Sequence, residues 1–402
     1  MKVLISAYAC EPDKGSEPGA GWIWALAAAQ NHDVWVVTRA NNREAIESAL
    51  SRDPPASLHF VYLDLPRWAR FWKSGPRGTR LYYLLWQVLA GKVARELHDA
   101  HRFDVVHHLT FANVWLPALA WRARASFVLG PVGGGPRVPL RLYPTLGLAG
   151  AIHEVFRVAG QWVSKANPLT RAGWHRARVI LVQNEETKAA LPRSCRAKAQ
   201  VRPNASVSAD VPHHQPRSSP PRTVACAGRL LPWKGAALAI RALESLPRWQ
   251  LVIIGDGPDR ARLRRIAGRV GVAGRVEFVG WLRQSELWGR LAATDALILP
   301  SLREDASLIA AEATTCGVPV VAFDQGGPAV LARVPGARIS LVPLGAPRQC
   351  VAGLAAAIRG LEEKAQHPLA ADFSLEAVAR DVDRVYRQAT DMPVGTSLEV
   401  AA

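Results

Sequence analysis

Two glutamates, Glu304 and Glu312, stand eight residues apart in the carboxy-terminal half of the chain. Glu304 follows the apolar run 296–300, which predicts a buried strand, and Glu312 falls on the helix predicted just after it. Residues 317–321 then begin another strand. The pair would thus lie with a helix N-terminus at the carboxyl edge of a parallel sheet, where open α/β folds bind ligands. The spacing alone is common on helices, so the flanking strands are what indicate a site.

A basic loop, residues 228–235, follows a predicted strand and precedes a helix. Its Arg229 and Lys234 could neutralise a diphosphate, the arginine through a fork of donors and the lysine as a point charge. A solvated surface loop is the alternative. Residues 255–258 and 279–280 end two further strands of the same half, an arrangement that suits a nucleotide lying across the sheet.

The elements that would position these residues alternate between strand and helix, which predicts parallel sheets covered by helices. The predicted strands are 3–8, 34–38, 58–63, 105–109, 125–129, 179–182, 223–227, 250–254, 276–279, 296–300 and 318–322. The predicted helices include 21–31, 43–51, 80–98 and 374–390.

Four prolines within residues 211–221 predict a linker between two α/β domains. The first domain would span 1–210 and the second 222–373, with helix 374–390 packing back on the first. The length of 402 residues suits this division.

Composition limits the class of protein. With 49% hydrophobic and 21% charged residues the chain is globular, and it has no apolar run long enough to span a membrane. Its first residues indicate a strand, not a secretory signal. The five cysteines are scattered without a C-x-x-C pair, which indicates reduced thiols. We therefore expect a cytoplasmic protein, with peripheral attachment to the inner face of the membrane left open.

The net charge of +17 calls for a partner or a compositional cause. The charge is spread along the chain without a zinc-finger or RNA-recognition signature, so nucleic acid is not predicted. Residues 67–86 mix aromatic and cationic side chains, which is typical of an anionic membrane interface. A loop and helix packed on the first domain is an equal alternative for that segment.

In combination, the motifs of the second half resemble retaining GT-B glycosyltransferases of glycosyltransferase family 4, the glycosyl transferases group 1. The matching segments, in the family's order, are 228–235, 255–258, 279–280, 304–312 and 317–321. The resemblance implies two Rossmann-like, doubly wound parallel-sheet domains facing a central cleft. It also implies a retaining hexosyltransferase that moves a sugar from a nucleotide diphosphate-sugar to a glycan or polyprenyl-diphosphate-linked acceptor.

The resemblance further implies roles for single residues. Arg229 and Lys234 match the cationic pair that binds the donor diphosphate. Glu312 matches the glutamate that receives the ribose hydroxyls, and Glu304 the one that contacts the donor sugar near the reacting carbon.

The donor site of the resemblance also includes backbone positions. Gly255 and Val279 match strand ends that line the site, and Ser307, Leu308 and Ile309 would present N–H groups to the diphosphate. The family usually has glycine where Ser307 stands. Serine is a good N-cap residue and keeps its N–H, so we expect the helix N-terminus to remain functional.

In the first domain, residues 10–21 resemble the family's glycine-rich loop, with Gly15 and Ser16 at the donor phosphates; a flexible surface loop is the alternative. His107 matches the histidine placed near the donor sugar. Strand alternation sends His107 and His108 to opposite faces, and a packed histidine is the alternative for either. The bare loop 130–136 could form an acceptor wall.

No D-x-D motif stands at a predicted strand end; Asp381 and Asp383 fall on the terminal helix. Since Arg229, Lys234 and a helix dipole could stabilise the leaving diphosphate, neither a metal nor another cofactor is expected. Two alternatives stay open: a GT-B epimerase, and a non-catalytic protein that binds nucleotide-sugars or polyanions, which Ser307 and the high charge would suit.

Overall fold

The strands form two sheets, each parallel throughout. The computed structural model describes residues 1–51, 55–69, 78–111, 113–202, 204–205, 207, 211–214, 221–361 and 372–391. The strands are β1 (Lys2–Ala7), β2 (Asp33–Arg39), β3 (Leu58–Leu63), β4 (Val105–Thr110), β5 (Ser126–Val132), β6 (Val179–Val182), β7 (Ala199–Val201), β8 (Arg222–Ala227), β9 (Trp249–Ile254), β10 (Val276–Gly280), β11 (Ala296–Leu299), β12 (Val320–Phe323) and β13 (Ile339–Val342).

Helices connect the strands and cover the sheets. They are α1 (Ser16–Ala29), α2 (Arg43–Leu50), α3 (Thr79–His101), α4 (Tyr143–Ala166), α5 (Pro168–Arg176), α6 (Glu185–Ala190), α7 (Arg193–Arg196), α8 (Ala236–Ala242), α9 (Arg260–Arg269), α10 (Gln284–Ala292), α11 (Leu308–Thr315), α12 (Gly326–Leu331), α13 (Pro347–Arg359) and α14 (Leu375–Asp391). Within the described residues, none is both long and apolar enough to cross a membrane.

The strand order places a ligand crevice on each sheet. The first sheet runs β3-β2-β1-β4-β5-β6-β7 and the second β10-β9-β8-β11-β12-β13. The chain reverses direction across the sheet between β1 and β4 in the first and between β8 and β11 in the second. Ligands bind outside the carboxyl ends of strands at such points. The prediction of two parallel-sheet α/β domains is confirmed.

The central strands are buried on both faces, as parallel strands between helix layers must be. Every residue of β4, β6, β11 and β12 is buried. All five cysteines are free thiols within these interiors.

Helix α14 returns from the second domain to pack on the first. Val378, Val382, Val385 and Tyr386 are buried and share a core with α1 and β1. Their spacing places them on one helix face, so the amphipathic pattern at the chain's end builds the first domain.

Some boundaries differ from the sequence prediction. Helix α1 begins at Ser16 instead of residue 21, because Glu17 and Pro18 are both tolerated in a first helical turn. Strand β12 begins at Val320 instead of residue 318, and β7 and β13 were not predicted. Residues 215–220 of the proposed linker lie outside the described residues, so the domain boundaries stay a prediction.

Helix α4 links the two domains. It belongs to the β5–α5 connection of the first domain, yet Leu142 and Leu146 at its start are buried in the core of the second. Gly147 kinks the helix after its first turn, with φ 70°. The rest of α4 then crosses the turn that carries Lys234.

The basic and aromatic segment 67–86 divides in the structure. Residues 70–77 lie outside the described part. Tyr82, Tyr83 and Trp86 are buried in α3, with their rings edge-on to Tyr8. For these three aromatics the membrane interpretation is wrong, because their spacing points them into the core.

Candidate active site

An ion pair stands at the switch point of the second sheet. The Lys234 Nζ lies 2.6 Å from Glu304 Oε2. Lys234 follows β8 and Glu304 follows β11, and these strands are neighbours, so the topology alone brings the two loops together. Gly235, at φ 70°, makes the approach possible, because a Cβ there would collide with the Pro300 carbonyl.

The loop that carries Glu304 is fixed by backbone contacts. Gly327 N donates to the Glu304 carbonyl at 3.1 Å. A Cβ on Gly326 would collide with the same carbonyl, and that residue has φ 58°. Glu304 itself is only 13% exposed, so its carboxylate has a defined position next to Lys234.

Glu312 is a second, more deeply buried carboxylate. It is 5% exposed on α11 and accepts a 2.8 Å hydrogen bond from Gln284 Nε2. Burial raises the pKa of Glu312, while the Gln284 and Trp288 side chains lower it. Because the pKa rises overall, the charged form of Glu312 is less well stabilised in the protein than it would be in water.

The first loop of the first domain lies against this carboxylate's partner. The Gln284 Oε1 is 4.0 Å from the position that a Cβ would take on Gly15. Gly15 is exposed and immediately precedes Ser16, the first residue of α1. The structure therefore brings Gly15 and the Glu312 region together across the domains.

Ser307 sits in a backbone conformation that suits glycine. It occupies the position before α11 with φ 64° and ψ 51°, in the left-handed region. It is buried, its side chain makes no capping bond, and its Oγ has no hydrogen-bond partner among the described residues. The expectation that Ser307 caps the helix by its side chain is wrong, because an N-cap residue does so from an extended backbone.

The N-terminus of α11 remains open to a ligand. Leu308 and Ile309 are its first two residues, whose N–H groups have no partner within a helix. Both residues are half-buried next to the Glu304 loop.

The remaining predicted positions lie along the same sheet edge. Gly255, at φ 125°, lets the ends of β8 and β9 meet, since a Cβ there would collide with the Gly228 carbonyl. Its N–H donates to the Gly280 carbonyl at 2.7 Å, and Val279 packs into the domain's core. Arg229 is exposed on the adjacent loop, where the structure does not pair it with Glu304 or Glu312.

His107 is a core residue, not a cleft residue. Its Nδ1 lies 2.8 Å from the Tyr386 hydroxyl of α14 and its Nε2 2.5 Å from the Gly130 carbonyl. Burial lowers its pKa to about 4. With both ring nitrogens engaged inside the first domain, the prediction of a donor-side histidine at 107 is corrected to the packed alternative. His108 faces Tyr83 on the opposite side, as strand alternation predicted.

A buried cluster that was not predicted from the sequence supports the Glu304 loop. Glu154 of α4 is fully buried and pairs with Arg157 at 2.6 Å and with Arg303 at 3.0 Å. Burial alone would raise the pKa of Glu154, but the two arginines outweigh it and lower the pKa. Arg303 also lies over the Trp233 ring, 4.3 Å from its centre. Trp233 and Arg303 directly precede Lys234 and Glu304, so the cluster positions the ion pair.

Asp305 joins the same loop to the first domain. Its Oδ1 accepts from Gly134 N at 2.6 Å, and its carbonyl accepts from Asn184 Nδ2 at 3.0 Å. A Cβ on Gly133 would come within 2.8 Å of the Asp305 carboxyl, so the bare backbone is what admits it. Loop 130–136 is buried in this contact. It packs against the second domain, and its role as an acceptor wall stays a prediction.

Comparison with known proteins gives a family match in the carboxy-terminal half of the chain. Residues 211–365 match the family model described as glycosyl transferases group 1. The lipopolysaccharide core biosynthesis glycosyltransferase LpsD of Rhizobium meliloti (strain 1021) is 35% identical over 101 residues, which cover 25% of this chain and 29% of LpsD. The D-inositol 3-phosphate glycosyltransferase of Mycobacterium bovis (strain BCG / Pasteur 1173P2) is 27% identical over 265 residues, 60% of this chain and 51% of that protein. The chain thus spans about half or less of these relatives.

Solved structures match nearly the whole chain at low identity. Anabaena Alr3699/HepE in complex with UDP and glucose has a TM-score of 0.62 and 19% identity, over 96% of this chain and 99% of that one. Sucrose-phosphate synthase from Thermosynechococcus elongatus has a TM-score of 0.63 and 18% identity, over 96% and 98%. The fold is GT-B, and the second domain is similar to group 1 glycosyl transferases.

Proposed function

We propose that this protein is a retaining hexosyltransferase of glycosyltransferase family 4, which moves a sugar from a nucleotide diphosphate-sugar to a glycan or polyprenyl-diphosphate-linked acceptor. The observation that carries the proposal is the Lys234–Glu304 pair at the switch point of the second sheet, beside the open N-terminus of α11. The match of residues 211–365 to group 1 glycosyl transferases supports it.

The diphosphate would lie between Lys234 and the first N–H groups of α11. An ammonium has three donors, so Lys234 can keep its bond to Glu304 and still donate to a phosphate. The N–H groups of Leu308 and Ile309 add the positive end of a helix, and the exposed Arg229 can swing onto the same anion. These groups would supply the charge that the leaving diphosphate needs, so the proposal includes no cofactor.

The nucleoside would lie nearer Glu312. A buried carboxylate favours the hydroxyl donors of a ribose, because each bond to it replaces solvation that burial removed. Gly15 lies close to its partner Gln284, which lets the first loop cover the donor.

Glu304 would orient the sugar at the reacting carbon. In the reaction we propose, the bond between the anomeric carbon and the phosphate oxygen breaks. The acceptor oxygen bonds that carbon on the same face, and the acceptor's proton passes to the departing phosphate. Lys234 and the α11 N–H groups stabilise the charge on that oxygen as it develops.

The comparisons support the substrate classes only in outline. One structural neighbour was solved with UDP-glucose, and LpsD belongs to lipopolysaccharide core biosynthesis. We therefore propose a nucleotide-sugar donor and a lipid-linked acceptor for this chain, with the enzyme on the cytoplasmic side of the membrane.

Donor binding and turnover test the proposal. In a thermal-shift screen of UDP, GDP and ADP, one nucleotide should raise the melting temperature. The matching nucleotide-sugars should then be consumed with a lipid fraction as acceptor, and NMR of the product should show a retained anomeric configuration. Lys234→Ala should weaken nucleotide binding, and Glu304→Gln should lower kcat by about 100-fold or more with binding kept.

Arg290→Ala is the matched control. Arg290 forms an exposed 2.8 Å pair with Glu277 in the same domain, away from the switch point. It should leave binding and turnover unchanged. An unchanged kcat in Glu304→Gln would reject the role proposed for Glu304, and the absence of turnover with every sugar donor would reject the enzyme.

A non-catalytic nucleotide-sugar-binding protein is the second candidate. Ser307 favours it, because this residue strains and crowds the backbone that would approach the diphosphate. Nucleotide binding without turnover of any sugar donor, in Ser307→Gly as in the parent protein, would support that candidate over the enzyme. A GT-B epimerase would instead convert the donor sugar with no acceptor present.

A further inference from the structure

Helix α4 presents an apolar surface to solvent. We call it the α4 outer face; its residues are Leu148, Ile152, Val155, Phe156, Trp162 and Val163. Leu148 is 79% exposed, Val163 73% and Phe156 72%. Large apolar side chains exposed singly are ordinary, but a contiguous group on one helix marks an interaction site.

The opposite side of α4 already has its packing partners. Leu146, Gly150, Glu154 and Gln161 are buried on that side, at helical spacing. A surface helix normally turns polar residues outward. Here the outward side is apolar instead, so packing within the described part of the chain does not explain the outer face.

The stretch of chain that contains this face is almost free of acidic residues. Between Asp104 and Glu185 the sequence contains a single acidic residue, Glu154, and that carboxylate is buried between two arginines. Arg137 and Lys165 lie 6.0 Å and 5.0 Å from the centre of the Trp162 ring. The exposed Arg171 stands just beyond the helix.

Helix α3 adds a second apolar strip nearby. Leu81, Leu85 and Val88 are exposed, and their spacing puts them on one side of that helix. Arg80, beside Leu81, is close enough to His153 of α4 that its charge contributes to lowering the pKa of that imidazole, after burial, Arg303 and Arg157.

We propose that the α4 outer face docks the protein on an anionic membrane surface. Apolar side chains would enter the headgroup boundary, Trp162 would sit at its level, and Arg137, Lys165 and Arg171 would meet lipid phosphates. A second copy of this chain fits less well, because a twofold contact would bring these cations against one another. An acidic protein partner is an outcome of the test below.

Docking through α4 would also orient the site. The inner side of the helix carries Glu154, which holds Arg303 beside Glu304. The switch-point pair would thus stand about one helix diameter, ~10 Å, from the membrane surface. The link to a lipid-borne acceptor rests on the proposed function, whereas docking itself does not.

Flotation with lipid vesicles tests the docking. The full chain should float with phosphatidylcholine vesicles that contain phosphatidylglycerol and stay behind with phosphatidylcholine alone. Phe156→Ser with Val163→Ser, which changes no charge, should weaken partitioning by about tenfold or more, because two apolar side chains no longer enter the boundary. Arg137→Gln with Arg171→Gln should weaken it several-fold and reduce its salt dependence.

Arg290→Gln with Arg348→Gln is the charge-matched control, since both arginines are exposed in the second domain. It should float as the parent protein does. Equal flotation with neutral vesicles, no flotation, or equal loss in the control pair would overturn the proposal. The proposal would also be overturned if the variant with Phe156→Ser and Val163→Ser floated normally but lost a dimer or a protein partner, as measured by light scattering. Nucleotide binding by the serine pair should be unchanged, so a failure of docking leaves the proposed function standing.

Discussion

At the scale of single residues, Ser307 has a physical cost that its sequence position alone does not reveal. In the sequence, it stands where the glycosyltransferases that the chain resembles usually have glycine. The structure adds that the backbone there has φ 64° and that the hydroxyl is buried without a partner among the described residues. Both features cost stability, the first about 1–2 kcal/mol and the second a similar amount. Backbone strain of this kind concentrates at functional sites, which supports the donor site proposed at the N-terminus of α11.

Ser307→Gly should therefore stabilise the second domain, by about 1 kcal/mol after the greater chain entropy of glycine is subtracted. Ser307→Ala removes the hydroxyl but keeps a Cβ in the left-handed region. The second domain should thus be more stable in the glycine variant than in the alanine variant. Calorimetry of the unfolding transition of the second domain would measure the difference. Equal melting temperatures for the two variants would mean that the backbone there is not strained.

At the scale of elements, the strands and helices that depend on local sequence pattern were predicted best. Strands β3 and β6 have the predicted bounds, because apolar runs between turn residues define them. The sheet edge that carries Lys234, Glu304 and Glu312 was also predictable, since parallel strands end on one side.

The elements that the sequence did not assign are those defined by distant partners. His107 was misplaced because its partner, Tyr386, lies 279 residues away in α14. Glu154 was missed for a similar reason: a lone carboxylate on an apolar helix has no local signature, and its partner Arg303 comes from the other domain. A useful signal was its isolation, as the single acid between Asp104 and Glu185.

Glu154→Gln should be strongly destabilising, by about 3–5 kcal/mol, because Arg157 and Arg303 would keep buried charges without a counterion. Denaturant unfolding should show the loss. If the proposed function holds, kcat should fall too, since Arg303 precedes Glu304. Glu47→Gln is the comparison: Glu47 and its partner Arg43 are both 58% exposed at 3.7 Å, so the change should stay within about 0.5 kcal/mol. Similar losses in both variants would remove the special role of the α4 cluster.

At the scale of the whole molecule, the domains are joined by side-chain contacts as well as by the chain. Glu154 with Arg303, Asp305 with Gly134, and Glu186 with Gly326 N all cross between them. All three end on the loops that follow β11 and β12. The loops that carry these contacts include the loop that carries Glu304, so the position of Glu304 depends on how the two domains pack.

The protonation of Asp305 makes the contact between the two domains depend on pH. Burial raises the pKa of Asp305 above its ordinary value of about 3.9, even though the Gly134 N–H acts to lower it. The closed arrangement thus holds the proton more tightly than an open one with the carboxyl in water. Closure is most favoured at low pH and weakens as pH rises from about 4 through the raised pKa.

Asp305→Asn keeps an acceptor for Gly134 N and removes the charge, so this variant should stay closed at every pH. Asp305→Ala leaves the Gly134 N–H without its acceptor, which costs about 1–3 kcal/mol of the closed state. Small-angle scattering should then give a radius of gyration that is smallest and pH-independent for asparagine and largest for alanine. Asparagine and alanine both lack the charge. The same radius of gyration in both variants would therefore show that charge alone determines closure. The distinct order we expect would show that the hydrogen bond to the first domain holds the two halves around the site.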